Sequence, residues 1–291
     1  MNILSIQSHV AYGHVGNSAI VLPLQRLGHE VWPVHTVMLS NHAGYPDHAG
    51  RTVSAGELAG VIDGLDRRGA LAHCDGILSG YLGDVAAGGV VLDAVARVRN
   101  ANEGALYCCD PVMGDDGEIY VDAEIVAFMC QRAAPAADIL TPNLFELSIL
   151  AESAPDALNG APLDEIIAAA RKLIEPDYRT STVLVTSVDH AALASEAVAM
   201  AAVNSAGAWL VTTPAHSFDV SPHGAGDLCA ALFCVALLAG NDAAEALSRT
   251  ASAVHALLTE TARLGKSELA LVEAQDVMVA PEKFFRAESI F

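Results

Sequence analysis

Short apolar runs alternate with stretches of helical periodicity along this chain. Residues 2–7 form a partly apolar run that breaks at Tyr12-Gly13-His14-Val15-Gly16-Asn17. That pattern predicts a first strand, a glycine-bearing loop, and a helix capped near Asn17 and closed by Gly28. Residues 31–39 read as the next strand, with further β-like runs at 76–79, 105–109, 138–140, 182–186, 197–203 and 209–212. Helical patterns lie between most of them. After Pro162, the residues Ile166, Ile167, Ala170, Leu173 and Ile174 mark one apolar face, and a second helical pattern covers 243–258. Strands alternating with helices imply parallel βαβ units, hence an α/β fold with helices on both faces of the sheet.

In such sheets ligands sit beyond the carboxyl ends of the strands. Polar clusters stand at those places. Ser8 follows Ile6-Gln7, Asp110-Pro111 follows Tyr107-Cys108-Cys109, and Thr141-Pro142-Asn143 follows Asp138-Ile139-Leu140. Thr186-Ser187 follows Val183-Leu184-Val185. Residues far apart in sequence are therefore expected on one rim. No repeat or linker divides the 291 residues, so one domain over 1–291 is expected. The polar, glycine-containing stretch at about 114–121 reads as a flap.

Composition narrows the partners. Hydrophobic residues make up 53% and charged residues 17%, enough for a buried core and too apolar for disorder. The net charge of −20 argues against duplex nucleic acid and anionic membranes, whose counterparts need clustered Lys and Arg. It does not exclude a nucleotide, because a few aimed N–H groups decide a local anion site. The six cysteines form no Cys-x-x-Cys pair and complete no zinc spacing, so they read as reduced core residues in a reducing compartment. The first residues carry no basic stretch or cleavage site, so no secretory signal is expected. The longest apolar run, 228–239, falls short of the roughly 20 residues a membrane span needs.

The sharpest chemical signal is Pro222-His223-Gly224-Ala225-Gly226-Asp227, directly before an apolar helix expected over 228–239. Two glycines allow a tight bend that exposes successive N–H groups, and the helix start adds partial positive charge. Such a nest suits an anion, above all the charge building on a phosphoryl group in transfer. A carboxylate at its mouth, Asp227, can accept a hydroxyl proton. The plainer alternative is a turn with Asp as helix cap. The glycines fit neither a Rossmann fingerprint nor a P-loop. Asp110, Asn143 and Glu146 bear oxygens suited to magnesium. Here too a plainer alternative stands: Asn143 and Glu146 have the spacing of a capping box.

Taken together, several stretches resemble the pyridoxal kinases of the ribokinase-like superfamily. They are Gln7-Ser8-His9-Val10 with Tyr12-Gly13-His14-Val15-Gly16-Asn17, Ser40-Asn41-His42, Ser79-Gly80-Tyr81-Leu82-Gly83, Asp110-Pro111-Val112-Met113-Gly114-Asp115, Pro142-Asn143 with Glu146, and Gly224-Ala225-Gly226-Asp227. They occur in family order from residue 2 to about 240. The resemblance implies a three-layer α/β/α fold with a mostly parallel central sheet. It implies a cytoplasmic homodimer that transfers phosphate from ATP, with Mg2+ and an assisting K+, to the 5′-hydroxyl of a vitamin B6 form. Asp227 would be the general base, and Gly224, Ala225 and Gly226 the anion hole. Asp110 and Glu146 would serve magnesium. Together with Asn143, Thr141, Thr186 and Ser187 they would also serve the ATP phosphates, and Thr213, Pro214, Ala215 and His216 would border adenine and ribose. Ser8, Val15, His42 and Tyr81 would surround the pyridine ring, with residues 115–120 as a lid.

Two positions depart from the family pattern. Ala43 stands where Thr commonly follows Ser-Asn-His, which removes a hydroxyl contact to the substrate. Ala225 replaces a Thr or Val, a mild change because the anion hole uses backbone N–H groups. The alternatives are a kinase for another small alcohol, such as a hydroxymethylpyrimidine or a sugar, and a non-catalytic pyridoxal phosphate-binding protein.

Overall fold

The computed structural model describes residues 1–115, 117–218 and 220–290. Its strands are β1 (Asn2–Val10), β2 (Glu30–Leu39), β3 (Gly50–Thr52), β4 (Gly76–Ser79), β5 (Leu106–Cys109), β6 (Gly114–Asp115), β7 (Glu118–Ile119), β8 (Ile139–Leu140), β9 (Thr182–Val188), β10 (Ala197–Asn204), β11 (Gly207–Pro214) and β12 (Glu288–Ser289). The helices are α1 (Asn17–Arg26), α2 (Ala55–Arg67), α3 (Val85–Ala101), α4 (Ala123–Phe128), α5 (Ala134–Ala136), α6 (Leu144–Leu150), α7 (Leu163–Lys172), α8 (Ala225–Leu238), α9 (Ala243–Arg263) and α10 (Gln275–Val279).

Among the described residues, all strands but β6 and β7 join one ten-stranded sheet, in the order β12-β11-β10-β9-β8-β5-β4-β1-β2-β3. The pairings from β2 through β1, β4, β5 and β8 to β9 are parallel. The margins are antiparallel: β3 on one side, and β10, β11 and β12 on the other. The connections between β9, β10 and β11 are too short for a crossover helix, so these strands return antiparallel.

Period-two alternation explains the layers. On β1, Leu4 and Ile6 join the core under α2, α3, α6 and α7, while Ile3 joins the core under α1, α8 and α9. Ile77, Tyr107, Val183 and Val203 face the first core; Leu78, Cys108, Leu184 and Ala202 face the second. The expected three-layer α/β arrangement with a mostly parallel sheet is present. Helix α8 is buried from Leu228 to Cys234 and beyond, because β4, β5 and β9 cover one side and α1 and α9 others. That is why its sequence is apolar all round. All six cysteines are free thiols, five of them buried. Among the described residues no helix is long and apolar enough to cross a membrane.

Some local expectations need correction. Asn17 does not cap α1, whose N-cap is Gly16. Its side chain instead accepts from Ser5 Oγ at 2.7 Å and donates to the Val34 carbonyl at 3.1 Å, tying α1 to the first two strands. Thr186 and Ser187 lie within β9 rather than after it, since the strand runs on to Val188. Ser187 sits at φ 51°, where the register with β10 slips, as at a β-bulge. Helix α8 begins at Ala225, not at residue 228.

One buried ion cluster anchors the far end of the sheet. Asp138 accepts from Arg99 Nη2 at 2.7 Å, Arg179 Nε at 2.6 Å and the Tyr107 amide at 2.8 Å. Arg179 is half exposed, so Arg99 and the amide carry most of the contribution. Asp138→Ala leaves the partly buried Arg99 guanidinium and the buried Tyr107 amide without their acceptor and is expected to cost about 3 kcal/mol. Thermal unfolding should show a Tm lowered by roughly 5–10 °C; a shift of a degree would show the cluster to be dispensable.

Candidate active site

The chain leaves β1 to one side for β2 and returns to the other for β4. The crevice at the end of β1 is therefore the topological switch point. Ser8 lies there, buried near the carboxyl end of the strand. The loop of residues 12–16 folds back over it, and an isolated bridge pairs His9 with Gly16. Gly16 sits so close that an added Cβ would stand 2.2 Å from Ser8 Oγ.

The same loop holds the nest. Gly224 is the N-cap of α8 at φ 92°, and a Cβ there would stand 1.8 Å from the His14 carbonyl oxygen. Only glycine satisfies both the left-handed backbone and the close approach. The Leu228 N–H makes the first bond of the helical ladder, to the Gly224 carbonyl at 3.1 Å. The amides of Ala225, Gly226 and Asp227 precede it, at the positive end of the helix. Asp227 is the third residue of α8 and no side chain caps this helix, so the capping alternative does not apply. The nearby Gly16 amide favours its charged form.

Three carboxyl groups converge electrostatically. Burial pushes Asp227 up to about 6, with the Gly16 amide opposing. Burial and then the facing Asp227 push Asp110 well above the carboxylate range, while the Thr141 hydroxyl, donating at 2.9 Å, opposes this. Glu146 too is raised well above its ordinary value, by burial and then by Asp110. Among the described residues none of the three forms an ion pair with Lys or Arg. The site thus gathers acidic groups without a protein counter-charge.

Asn143 and Glu146 do form the capping box of α6. Asn143 Oδ1 accepts from the Glu146 amide at 2.8 Å, and Glu146 Oε2 from the Asn143 amide at 3.0 Å. Both also reach the flap. Glu146 Oε1 takes the Met113 amide at 3.0 Å, and Asn143 Nδ2 donates to the Gly114 carbonyl at 2.9 Å. Within the stretch expected as a flap at 114–121, β6 and β7 pair antiparallel; Asp116 lies outside the described residues. The phenol of Tyr120, a residue 54% exposed, is pushed up by desolvation, then by Glu146, Asp110, Asp115 and Asp227.

The other expected site residues divide. Val15 is buried in the residue 12–16 loop, and Thr186 bridges to Asn143. Tyr81 lies just after β4, its carbonyl accepting from Thr36 Oγ1 at 2.6 Å. His42 stacks on His223 with ring centroids 3.9 Å apart, at the entrance to the nest. Ser187 is exposed at the bulge. Thr213 and Pro214 end β11, and Ala215 and His216 follow; His216 Nε2 meets His255 Nδ1 at 3.2 Å on α9, apart from the carboxylates. Sequence reasoning missed Tyr45 and Glu268, which belong to no spaced motif.

Residues 73–271 match the family model described as phosphomethylpyrimidine kinase. The chain is 52% identical to pyridoxal kinase PdxY of Rubrobacter xylanophilus, over 97% of this chain and 94% of the relative. It is 46% identical to pyridoxal kinase PdxY of Corynebacterium diphtheriae, over the full length of both. The chain belongs to the pyridoxal kinase family. A solved pyridoxal kinase from Leishmania donovani, in complex with ADP and ginkgotoxin, superimposes with a TM-score of 0.89 at 29% identity, over 100% of this chain and 99% of that one. Further structures of that pyridoxal kinase hold ADP with pyridoxine or with pyridoxamine.

Proposed function

We propose that this kinase transfers the γ-phosphate of ATP to the 5′-hydroxymethyl group of pyridoxal, and of pyridoxamine or pyridoxine, in vitamin B6 salvage. The observation that carries the reading is that one loop, residues 12–16, packs against both Ser8 and Gly224, the latter three residues before Asp227. That contact unites a pocket for a flat ring, an anion nest and a base within one crevice.

In this reading Ser8, Val15, His42 and Tyr81 hold the ring, which needs a flat pocket with few polar anchors. His42 is neutral at pH 7, because burial and then His223 lower it to about 4. Its Nδ1 accepts the Gly44 amide at 3.2 Å, which leaves the proton on Nε2 as a donor. Asp227 takes the hydroxyl proton as the oxygen attacks phosphorus, and the amides of Ala225 and Gly226, with the Gly224 turn behind them, receive the charge that builds on the phosphoryl oxygens. Thr141, Asn143, Thr186 and Ser187 position the ATP phosphates. Thr213, Pro214, Ala215 and His216 border adenine and ribose. The hairpin excludes water and limits wasteful hydrolysis.

The donor set fits magnesium. Among the described residues no preformed cage of three His, Cys, Asp or Glu side chains exists. Magnesium is ordinarily held by one or two carboxylates together with phosphates and waters, and Asp110 and Glu146 offer buried carboxylates without a protein cation. When bound, the ion supplies charge neutralisation to the phosphates and carboxylates. The reading also takes the kinase to be a cytoplasmic homodimer assisted by potassium, and the chain to act as one unit with its hairpin flap.

The base assignment sets a pH profile. Asp227 must be ionised to accept a proton, and burial lifts it to about 6. The kcat/KM of the free enzyme should rise about tenfold per pH unit below 6 and level off above it. A profile flat from pH 5 to 8 would remove this residue as the titrating base.

ATP consumption measured with pyridoxal, pyridoxamine, pyridoxine and hydroxymethylpyrimidine tests the function. The highest kcat/KM is expected on a B6 form. A clear preference for hydroxymethylpyrimidine would make the family-model description the better reading. Tight pyridoxal phosphate binding without turnover would make the chain a carrier.

A further inference from the structure

Glu268 lies between α9 and α10, far in sequence from every motif of the site. Two loops meet on its carboxylate. Oε2 accepts the His14 amide at 3.2 Å, and Oε1 accepts the Tyr45 hydroxyl at 2.5 Å. The carboxylate also lies against Gly13, and the Tyr12 and Tyr45 rings meet edge-on with centroids 6.4 Å apart. The hydrogen bond to Glu268 is the main cause holding the Tyr45 phenol above its ordinary range.

Each loop bears directly on the crevice. The first carries His14, whose carbonyl packs against Gly224, and Gly16, which packs against Ser8. The second, residues 41–49, carries His42, which stacks on His223. It also carries Ala43, where the family has a substrate-contacting hydroxyl. With that contact absent, the placement of the second loop depends more on what holds its backbone. The Tyr12 amide bonds the Ser40 carbonyl at 2.8 Å, and the Tyr45–Glu268 bond secures the opposite end.

We propose that Glu268 is a positioning residue that locks these two loops together over the vitamer ring, setting affinity for the alcohol substrate without touching it. The proposal rests on the ring site described above. It gives Glu268 no part in ATP binding, so the effect should divide between the two substrates.

The test uses Glu268→Ala, Glu268→Gln and Tyr45→Phe in the full chain. Hydrogen bonds to a charged group are worth enough to predict a roughly 10- to 100-fold rise in KM for pyridoxal in Glu268→Ala. The KM for ATP should stay within about threefold of the parent, since Glu268 touches no residue assigned to ATP. Tyr45→Phe should show a smaller rise. Adding it to Glu268→Ala should raise KM no further, because the Tyr45 bond is already lost there. Glu268→Gln keeps one acceptor oxygen and should fall between. Hydrogen exchange of the 41–49 segment, measured without ligand, should quicken in Glu268→Ala. Equal rises in both KM values, no rise for pyridoxal, or unchanged exchange would each overturn the proposal. If Glu268→Ala fails to fold, Tyr45→Phe, altered only at a loop hydroxyl, carries the same test. If the parent does not phosphorylate B6 forms, the substrate reading fails while the exchange measurement still decides whether Glu268 holds the loops.

Discussion

Asp227→Asn is expected to lower kcat by roughly 10²- to 10⁴-fold while leaving the fold as stable as the parent, or more so, at pH 8. The first half follows from losing a positioned base. The second follows from linkage. Folding raises the Asp227 carboxyl from an ordinary 3.8 to about 6, so the folded state favours its protonated form. The stability linked to that proton is fully present below the unfolded value and is lost as pH rises through about 6. At pH 8 the parent holds an unfavourable buried charge beside Asp110, and the amide variant does not. Paired measurements of kcat and Tm at pH 8 check this. A large Tm loss would give the residue a structural role, and an unchanged kcat would end its assignment as base.

Gly224→Ala should be severe where Gly226→Ala is mild for folding, although both glycines belong to one motif. At Gly224 the new Cβ meets the His14 carbonyl at 1.8 Å and must be carried at φ 92°. The backbone strain alone costs about 1–2 kcal/mol. Relief of the clash moves the nest away from the loop that also packs against Ser8. A displacement near 1 Å in such a constellation costs about 10² in rate. At Gly226 an added Cβ meets nothing within 4 Å. Gly226→Ala should therefore hold Tm within a degree or two, whereas Gly224→Ala should lower both Tm and kcat/KM. Equal Tm values for the two variants would show that the His14–Gly224 contact does not constrain the fold.

The contrast between those glycines marks how far the sequence could be read. The bend at Gly224-Ala225-Gly226-Asp227 and the polar residues after strand-like runs were legible, because nest and strand-end chemistry are local. Asp110 and Thr141 were placed beyond β5 and β8 for that reason, and they are bonded to each other. The start of α8 was placed three residues late, since no side chain caps it and a left-handed glycine does the work instead. Asn17 was misread as a cap because Asn commonly is one, whereas tertiary partners on β1 and β2 claimed it. The strand end at residue 186 was a bulge that no local residue pattern announces. Glu268 lay beyond reach altogether: its meaning comes from Tyr45 and His14, 223 and 254 positions away.

Helix α8, enclosed by the sheet and two neighbouring helices, gives the proposed base a consequence for molecular history. The carboxylate inherits its address from the most deeply seated part of the chain, while the surfaces that grip the alcohol belong to peripheral loops. Changes in those loops, Ala43 among them, can redraw which vitamer is preferred and leave the proton acceptor in place. New substrate tastes in such a scaffold can thus arise at its margins, one loop residue at a time, with the catalytic centre inherited intact.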